Sequence, residues 1–220
     1  MPRERLEIFR ESDSKPKEKI FVLAYEGNNT EALYFEDLKE DIRFNDDLIY
    51  LVSLRRSKGD TNSAPKHVFR KLKKEAKEVY NFDKSDELWM VIDRDSWTNI
   101  PEISALCKAE GNFSLALSNP CFEFWLLLHF KGLNEFSTFE IKKIFENKKT
   151  GKGRQRKAYL KKLLVRILPG GYNESDPRPD RFLPNLNIAI ERAKKLDDPS
   201  LDYPTYLGSH VYRLVEKIIK

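Results

Sequence analysis

Five acids in this sequence stand where carboxylates can do chemistry. Glu26 and Glu31 share the segment EGNNTE (26–31), Asp93 and Asp95 share VIDRD (91–95), and Glu123 lies in CFEFWLLL (121–128). Asp93 halts an apolar run, and Asp95 follows one residue later. Like charges this close repel, and neither residue favours a strand. A divalent cation shared with other carboxylates would hold such a pair together, and an oxygen-only donor set points to Mg²⁺ or Mn²⁺. Glu123 is flanked by Cys121, Phe122, Phe124, Trp125 and three leucines. A carboxylate in that company must be paired, protonated or on a metal. Each acid also has a structural reading. Aspartate ends strands and opens turns, a first-turn glutamate such as Glu123 complements the helix dipole, and Asn28 followed by Glu31 has the spacing of a helix cap. His129 reads as a packed histidine, and Trp89, Met90 and Trp125 as core. Cys107 and Cys121 are too few for a disulfide framework or a zinc cluster.

The elements that must position these acids follow from the hydrophobic pattern. Short apolar runs at 20–25, 48–54, 87–93 and 113–118 have the length of buried strands. Between them, 30–42, 65–80 and 100–111 read as helices, the first with Leu33, Tyr34, Leu38 and Ile42 near one face. Asn119 and Pro120 open a further helix. Strands that are apolar on both sides and alternate with helices predict a parallel sheet covered on both faces. In such a sheet, ligands bind beyond the carboxyl ends of the strands. Glu26, then Arg55, Arg56 and Lys58, then Asp93 and Asp95, then Ser118, Asn119 and Glu123 all fall on that rim. After residue 135 the alternation stops, and 138–147, 157–168, 184–197 and 208–219 read as helices. The expected organisation is a flexible arm over 1–18, an α/β domain over 19–135 and a helical basic extension over 136–220.

Charge divides unevenly along the chain. Residues 1–140 carry a net charge of −5, and residues 141–220 carry +10. The two parts therefore face different partners. The stretch 142–162 holds ten basic residues against Glu146 alone. Within it, Lys152, Arg154, Arg156 and Lys157 lie in a loop with two glycines, where they would clamp phosphates without reading bases; a solvated basic segment is the plainer alternative. With 34% charged and 40% hydrophobic residues, wholesale disorder is excluded. The longest apolar stretch is too short to cross a bilayer, and the charged N-terminus predicts no signal peptide. A cytoplasmic location is expected.

The segments EGNNTEALYF (26–35), VIDRDSW (91–97) and SNPCFEFWLLLHF (118–130) resemble the signature blocks of the RloB-like proteins, with a weaker echo in RKAYLKKLL (156–164) and HVYRLVEKI (210–218). That family groups with the Toprim-type catalytic domains of topoisomerases, bacterial primases and overcoming-lysogenization-defect (OLD) nucleases. The resemblance implies a Toprim-like, four-stranded parallel sheet with helices on both faces. It matches Glu26 to the Toprim glutamate, Asp93 and Asp95 to its DxD pair, and Glu31 to the second acid of the nuclease branch. Glu123 belongs to a block particular to the RloB-like group. The activity implied is a Mg²⁺- or Mn²⁺-dependent nuclease, with Glu26, Glu31, Asp93 and Asp95 on the metal and Glu123 completing the shell. Arg55, Arg56 and Lys58 would neutralise phosphates. RNA (tRNA included) or DNA is the expected substrate. The setting implied is bacterial anti-phage defence by abortive infection, beside a separate AAA-type ATPase, since no Walker motif occurs here. The other reading is a non-catalytic subunit that docks nucleic acid or the ATPase. The sequence leaves a homo-oligomeric state open.

Overall fold

The computed structural model describes residues 19–27, 29–55, 64–78, 85–94, 97–153 and 156–220. The expected arm over 1–18, and Arg56, Lys58, Asp95 and Arg154, lie outside the described residues.

Four parallel strands form the centre: β1 (Lys19–Tyr25), β2 (Ile49–Leu54), β3 (Glu87–Asp93) and β4 (Phe113–Asn119). Their period-2 alternation feeds two cores. Phe21, Leu23 and Tyr25 of β1, with Trp89 and Val91 of β3, face one side; Val22 and Ala24, with Leu88, Met90 and Ile92, face the other. Helices α2 (Pro65–Glu78) and α3 (Ile100–Glu110) cover the second side. Helices α1 (Thr30–Lys39), α4 (Phe122–Leu128), α5 (Thr138–Glu146), α6 (Tyr159–Ile167), α7 (Leu186–Lys194) and α8 (Val211–Ile218) supply the first. Buried residues of α6, α7 and α8 thus belong to the same core as α1 and α4.

A fifth strand, β5 (Gly208–Ser209), pairs antiparallel with the end of β4, so the order is β2-β1-β3-β4-β5. The sequence reading expected four strands and a helix from 208. Two residues are too few for a periodic signal. Side chains and backbone hold β5 instead: Ser118 Oγ and Ser209 Oγ lie 2.8 Å apart, and His210 N–H donates to the Leu117 carbonyl at 2.8 Å. A Cβ at position 208 would sit 2.8 Å from the Pro204 ring, which explains the glycine. Ile42 also departs from expectation and is 91% exposed. Helix α1 ends at Lys39, and after the turn Phe44 takes the buried place.

The chain leaves β1 toward β2 on one flank and β3 toward β4 on the other, with α1 on one face and α3 on the opposite face. The connections after β1 and β3 therefore part company. The crevice between the carboxyl ends of these two neighbours is where an open α/β sheet binds ligands.

Candidate functional site

Glu26 and Asp93 stand on either side of that crevice, and backbone geometry locks them together. Glu26 Oε2 accepts the Asp93 N–H at 3.0 Å, while Oε1 accepts the indole N–H of Trp97 at 2.9 Å. Asp93 Oδ1 accepts the N–H of Phe122 at 2.8 Å, a first-turn amide that α4 itself cannot satisfy. The two carboxylates thus sit side by side because each has a backbone donor.

Two further acids close the site. Glu31, in the first turn of α1, is 6% exposed, and its carboxylate fills the space where a side chain at Gly27 would be: a Cβ there would lie 2.1 Å from Oε2. A glycine after Glu26 is needed for this close approach. The N-cap residue of α1, Asn29, makes no side-chain cap, while the backbone amides of Glu31 and Gly27 favour the charged Glu31 carboxylate against its burial. Glu123, in the first turn of α4, brings a carboxylate oxygen within 4.8 Å of ligand atoms of Asp93 and Cys121. Glu26, Glu31, Asp93 and Glu123 line one cleft of about 290 Å³ together with Lys161 and Glu174.

The electrostatics follow from this crowding. Burial, with Glu123 and Glu26 close by, pushes the Glu31 carboxyl up to about 7. Burial and the charges of Glu31, Glu123 and Glu26 hold Asp93 well above the usual carboxylate range, even against the Phe122 amide. Burial and nearby acids likewise push the Cys121 thiol up, so its sulfur stays protonated near neutrality. It accepts a hydrogen bond from Asn147 Nδ2 at 3.3 Å.

Sequence reasoning did not place Lys161, Tyr172 or Glu174 here. Lys161 Nζ lies 3.6 Å from Glu123 Oε1 and also pairs with Glu174. Both acids raise its pKa, outweighing burial. Tyr172 donates its hydroxyl proton to Glu123 Oε1 at 3.2 Å. Asn147 aims α6 at the cleft. It ends α5 in the left-handed conformation that asparagine tolerates (φ 40°), and its Oδ1 accepts the Leu160 N–H at 2.9 Å. The signal for Lys161 lay in RKAYLKKLL (156–164). Tyr172 and Glu174 fall in a Pro- and Gly-rich break with no periodicity to read.

Other expected residues go elsewhere. Arg55 forms an exposed ion pair with Glu36 and does not line the cleft. Ser118 and Asn119 are buried and pair edge to edge with β5. Lys152, Arg156 and Lys157 are exposed on the turn closed by the Thr150–Lys157 bridge, and Lys157 alone of these lines a second groove, discussed below. His129 is 1% exposed and packed among aromatic rings, as its neighbours in the sequence imply.

The fold and cleft define a mostly parallel α/β protein with acids gathered at its topological switch point. The chain belongs to the RloB-like protein family, whose model matches residues 21–218. No curated protein matches it, and neither does any solved structure. Among the described residues, no helix is long and apolar enough to cross a membrane.

Proposed function

We propose that the cleft is the active centre of a metal-dependent nuclease whose core is related to the Toprim-type domains, acting on RNA (tRNA included) or DNA. One observation carries this reading. Glu26 and Asp93, from adjacent strands at the switch point, meet Glu31 and Glu123, from two different helices, in one cleft. Four acids so gathered cost stability unless a cation repays it.

The donor set fits a hard divalent cation. Carboxylate oxygens predominate, and Cys121 keeps its proton and is too soft a donor to compete. Glu26, Glu31, Asp93 and Glu123 would hold the ion; Asp95, next after Arg94, is the fifth acid of the proposed set. A bound Mg²⁺ or Mn²⁺ supplies Lewis acidity toward the phosphodiester and an acidified water. The chain's own groups do the positioning. Trp97 and the Asp93 amide fix Glu26, and the Phe122 amide fixes Asp93. Lys161 brings an ammonium to the cleft, where it can neutralise a phosphate in place of Arg55, which is paired elsewhere. The proposed setting is anti-phage defence in the cytoplasm beside an AAA-type ATPase.

The same lysine favours a second reading. By pairing with Glu123 and Glu174 it already offsets charge in the cleft, as a purely structural site in a docking subunit would. Incubation with tRNA, single-stranded DNA and plasmid, in Mg²⁺, Mn²⁺ or EDTA, with and without the neighbouring ATPase, separates the two. Cleavage that needs the metal and is lost in Asp93→Asn is the expected result. Intact substrates under every condition would overturn the nuclease reading.

A further inference from the structure

Beside a neighbouring face of α6 lies a second groove of about 830 Å³. Lys161 lines the cleft, and its neighbour Lys162 lines the groove. Lys143, Lys148, Lys157 and Arg166 join Lys162 there, and Glu146, the acid among the lining residues, is paired with Lys148 at 3.1 Å. Among the described residues, Lys143, Lys157 and Arg166 make no ion pair with a carboxylate. Charge alone would suit any polyanion. The rings narrow the choice. Lys143 Nζ sits 4.2 Å above the Phe139 ring and 5.9 Å from the Tyr159 ring, and Arg166 Cζ also lies 5.9 Å from the Tyr159 ring. Phe139, Lys143, Tyr159 and Arg166 therefore form a chain of ring–cation contacts, the last three lining the groove and Phe139 reaching it through Lys143. Phe139 is 66% exposed, so its ring is not there to fill a core.

We propose that this groove binds single-stranded nucleic acid, with phosphates on Lys143, Lys157, Lys162 and Arg166 and unstacked bases on Phe139 and Tyr159. An alternating row answers the repeat of a single strand, in which each backbone charge is accompanied by a base with a free face. A duplex hides its base faces in the stack and can use the cations only. The groove extends the nuclease reading, since it adjoins the cleft through one helix, but its binding does not require cleavage.

The test is fluorescence anisotropy with labelled twelve-nucleotide oligo-dT and oligo-U in EDTA, over a series of salt concentrations, with an unlabelled 20-base-pair duplex as competitor. Phe139, Lys143 and Arg166 are exposed, so their replacement spares the core. Lys143→Gln with Arg166→Gln should weaken binding and reduce the salt slope by roughly 1.4, about 0.7 for each lost contact to a single strand. Phe139→Ala should weaken binding by roughly five-fold or more at an unchanged slope, because stacking releases no counterions. Wild-type affinity in both variants, or a duplex that competes as well as a single strand, would overturn the proposal. Its fate is separable from that of the cleft. Binding lost in these variants of a protein that cuts nothing leaves the groove standing and the nuclease fallen. Cleavage lost in Asp93→Asn, with the groove variants binding normally, does the reverse.

Discussion

Two pockets in this molecule bury a carboxylate to a similar degree and set its affinity for a proton in opposite directions. The Asp197 side chain is 5% exposed and Glu31 in the cleft is 6% exposed. Their neighbours differ. Asp197 receives hydrogen bonds from Tyr212 Oη at 2.5 Å, His210 Nε2 at 2.8 Å and Arg213 Nη2 at 2.6 Å. Burial pushes Asp197 up, but these donors outweigh it and hold the carboxyl below its usual range. Burial also lowers the pKa of His210, leaving a neutral ring that gives its Nε2 proton to Asp197 while Nδ1 has no partner. In the cleft burial pushes the Glu31 and Asp93 carboxyls up, and the neighbouring acids add to it instead of opposing it. An acid that ties a fold together is surrounded by donors. In the proposed metal site, Glu31 and Asp93 instead have acids among their nearest charges.

The largest effect expected from breaking this contrast is at Asp197. Asp197→Asn removes the charge that Arg213 and His210 face and should destabilise the protein by about 3 kcal/mol, read as a lower urea midpoint at unchanged slope. The pH sign is fixed by the lowered pKa. The stabilisation by Asp197 is present above the ordinary carboxylate range and disappears as pH falls through the folded value. A variant that unfolds at the wild-type midpoint would mean that the donors merely decorate Asp197, and the contrast would fail.

The next effect has the opposite sign. Glu31 in the folded protein holds its proton up to about 7, above its ordinary 4.5. Its contribution is therefore complete below 4.5 and is lost as pH rises through 7. In EDTA at pH 8, Glu31→Gln should stabilise the protein by at most about 3 kcal/mol, the upper bound set by the shift. At pH 4 the variant and wild type should melt together. Mg²⁺ or Mn²⁺ should raise the melting temperature of the wild type more than that of the variant. A variant less stable than wild type at pH 8 would place Glu31 with Asp197 as a structural acid.

The two pockets also differed in how far the sequence revealed them. Glu26 and Asp93 were legible because each ends an apolar run, and a parallel sheet sends such ends to one rim. Glu123 was legible because it is a charge within an apolar helical segment, whereas Glu31 read as a helix cap and only the family resemblance put it with the other acids. The Asp197 cluster was not, since its partners stand 13 to 16 residues further on, past a turn and a two-residue strand. Lys161 was read only as one member of a basic run, because the turn set by Asn147 decides which lysine faces the cleft. Ile42 misled because a helical period says nothing of where the helix stops. Local pattern gave the four parallel strands and most of the helices; the pairings that fix charge come from contacts distant in sequence.

The smallest predicted effect sharpens the comparison with a third buried group that has neither behaviour. His129 follows α4, whose first turn carries Glu123. Its Nδ1–H donates to the Trp125 carbonyl at 3.0 Å, and its Nε2 accepts from the Tyr34 hydroxyl at 3.0 Å. Burial lowers its pKa to about 3, so the ring is neutral across the working range. Both nitrogens are satisfied without any charge. Tyr34→Phe strips the donor from Nε2 in apolar surroundings and should cost about 1 kcal/mol. The stabilisation by neutral His129 is present above its ordinary 6.5 and is lost as pH falls toward 3. Between pH 6.5 and 9, then, the gap between Tyr34→Phe and wild type should stay constant in EDTA melts, whereas the gap for Glu31→Gln should open as pH rises to about 7. If the Tyr34→Phe gap instead grows with pH in step with Glu31→Gln, His129 and the cleft titrate together, and α4 carries the charge of Glu123 along its length.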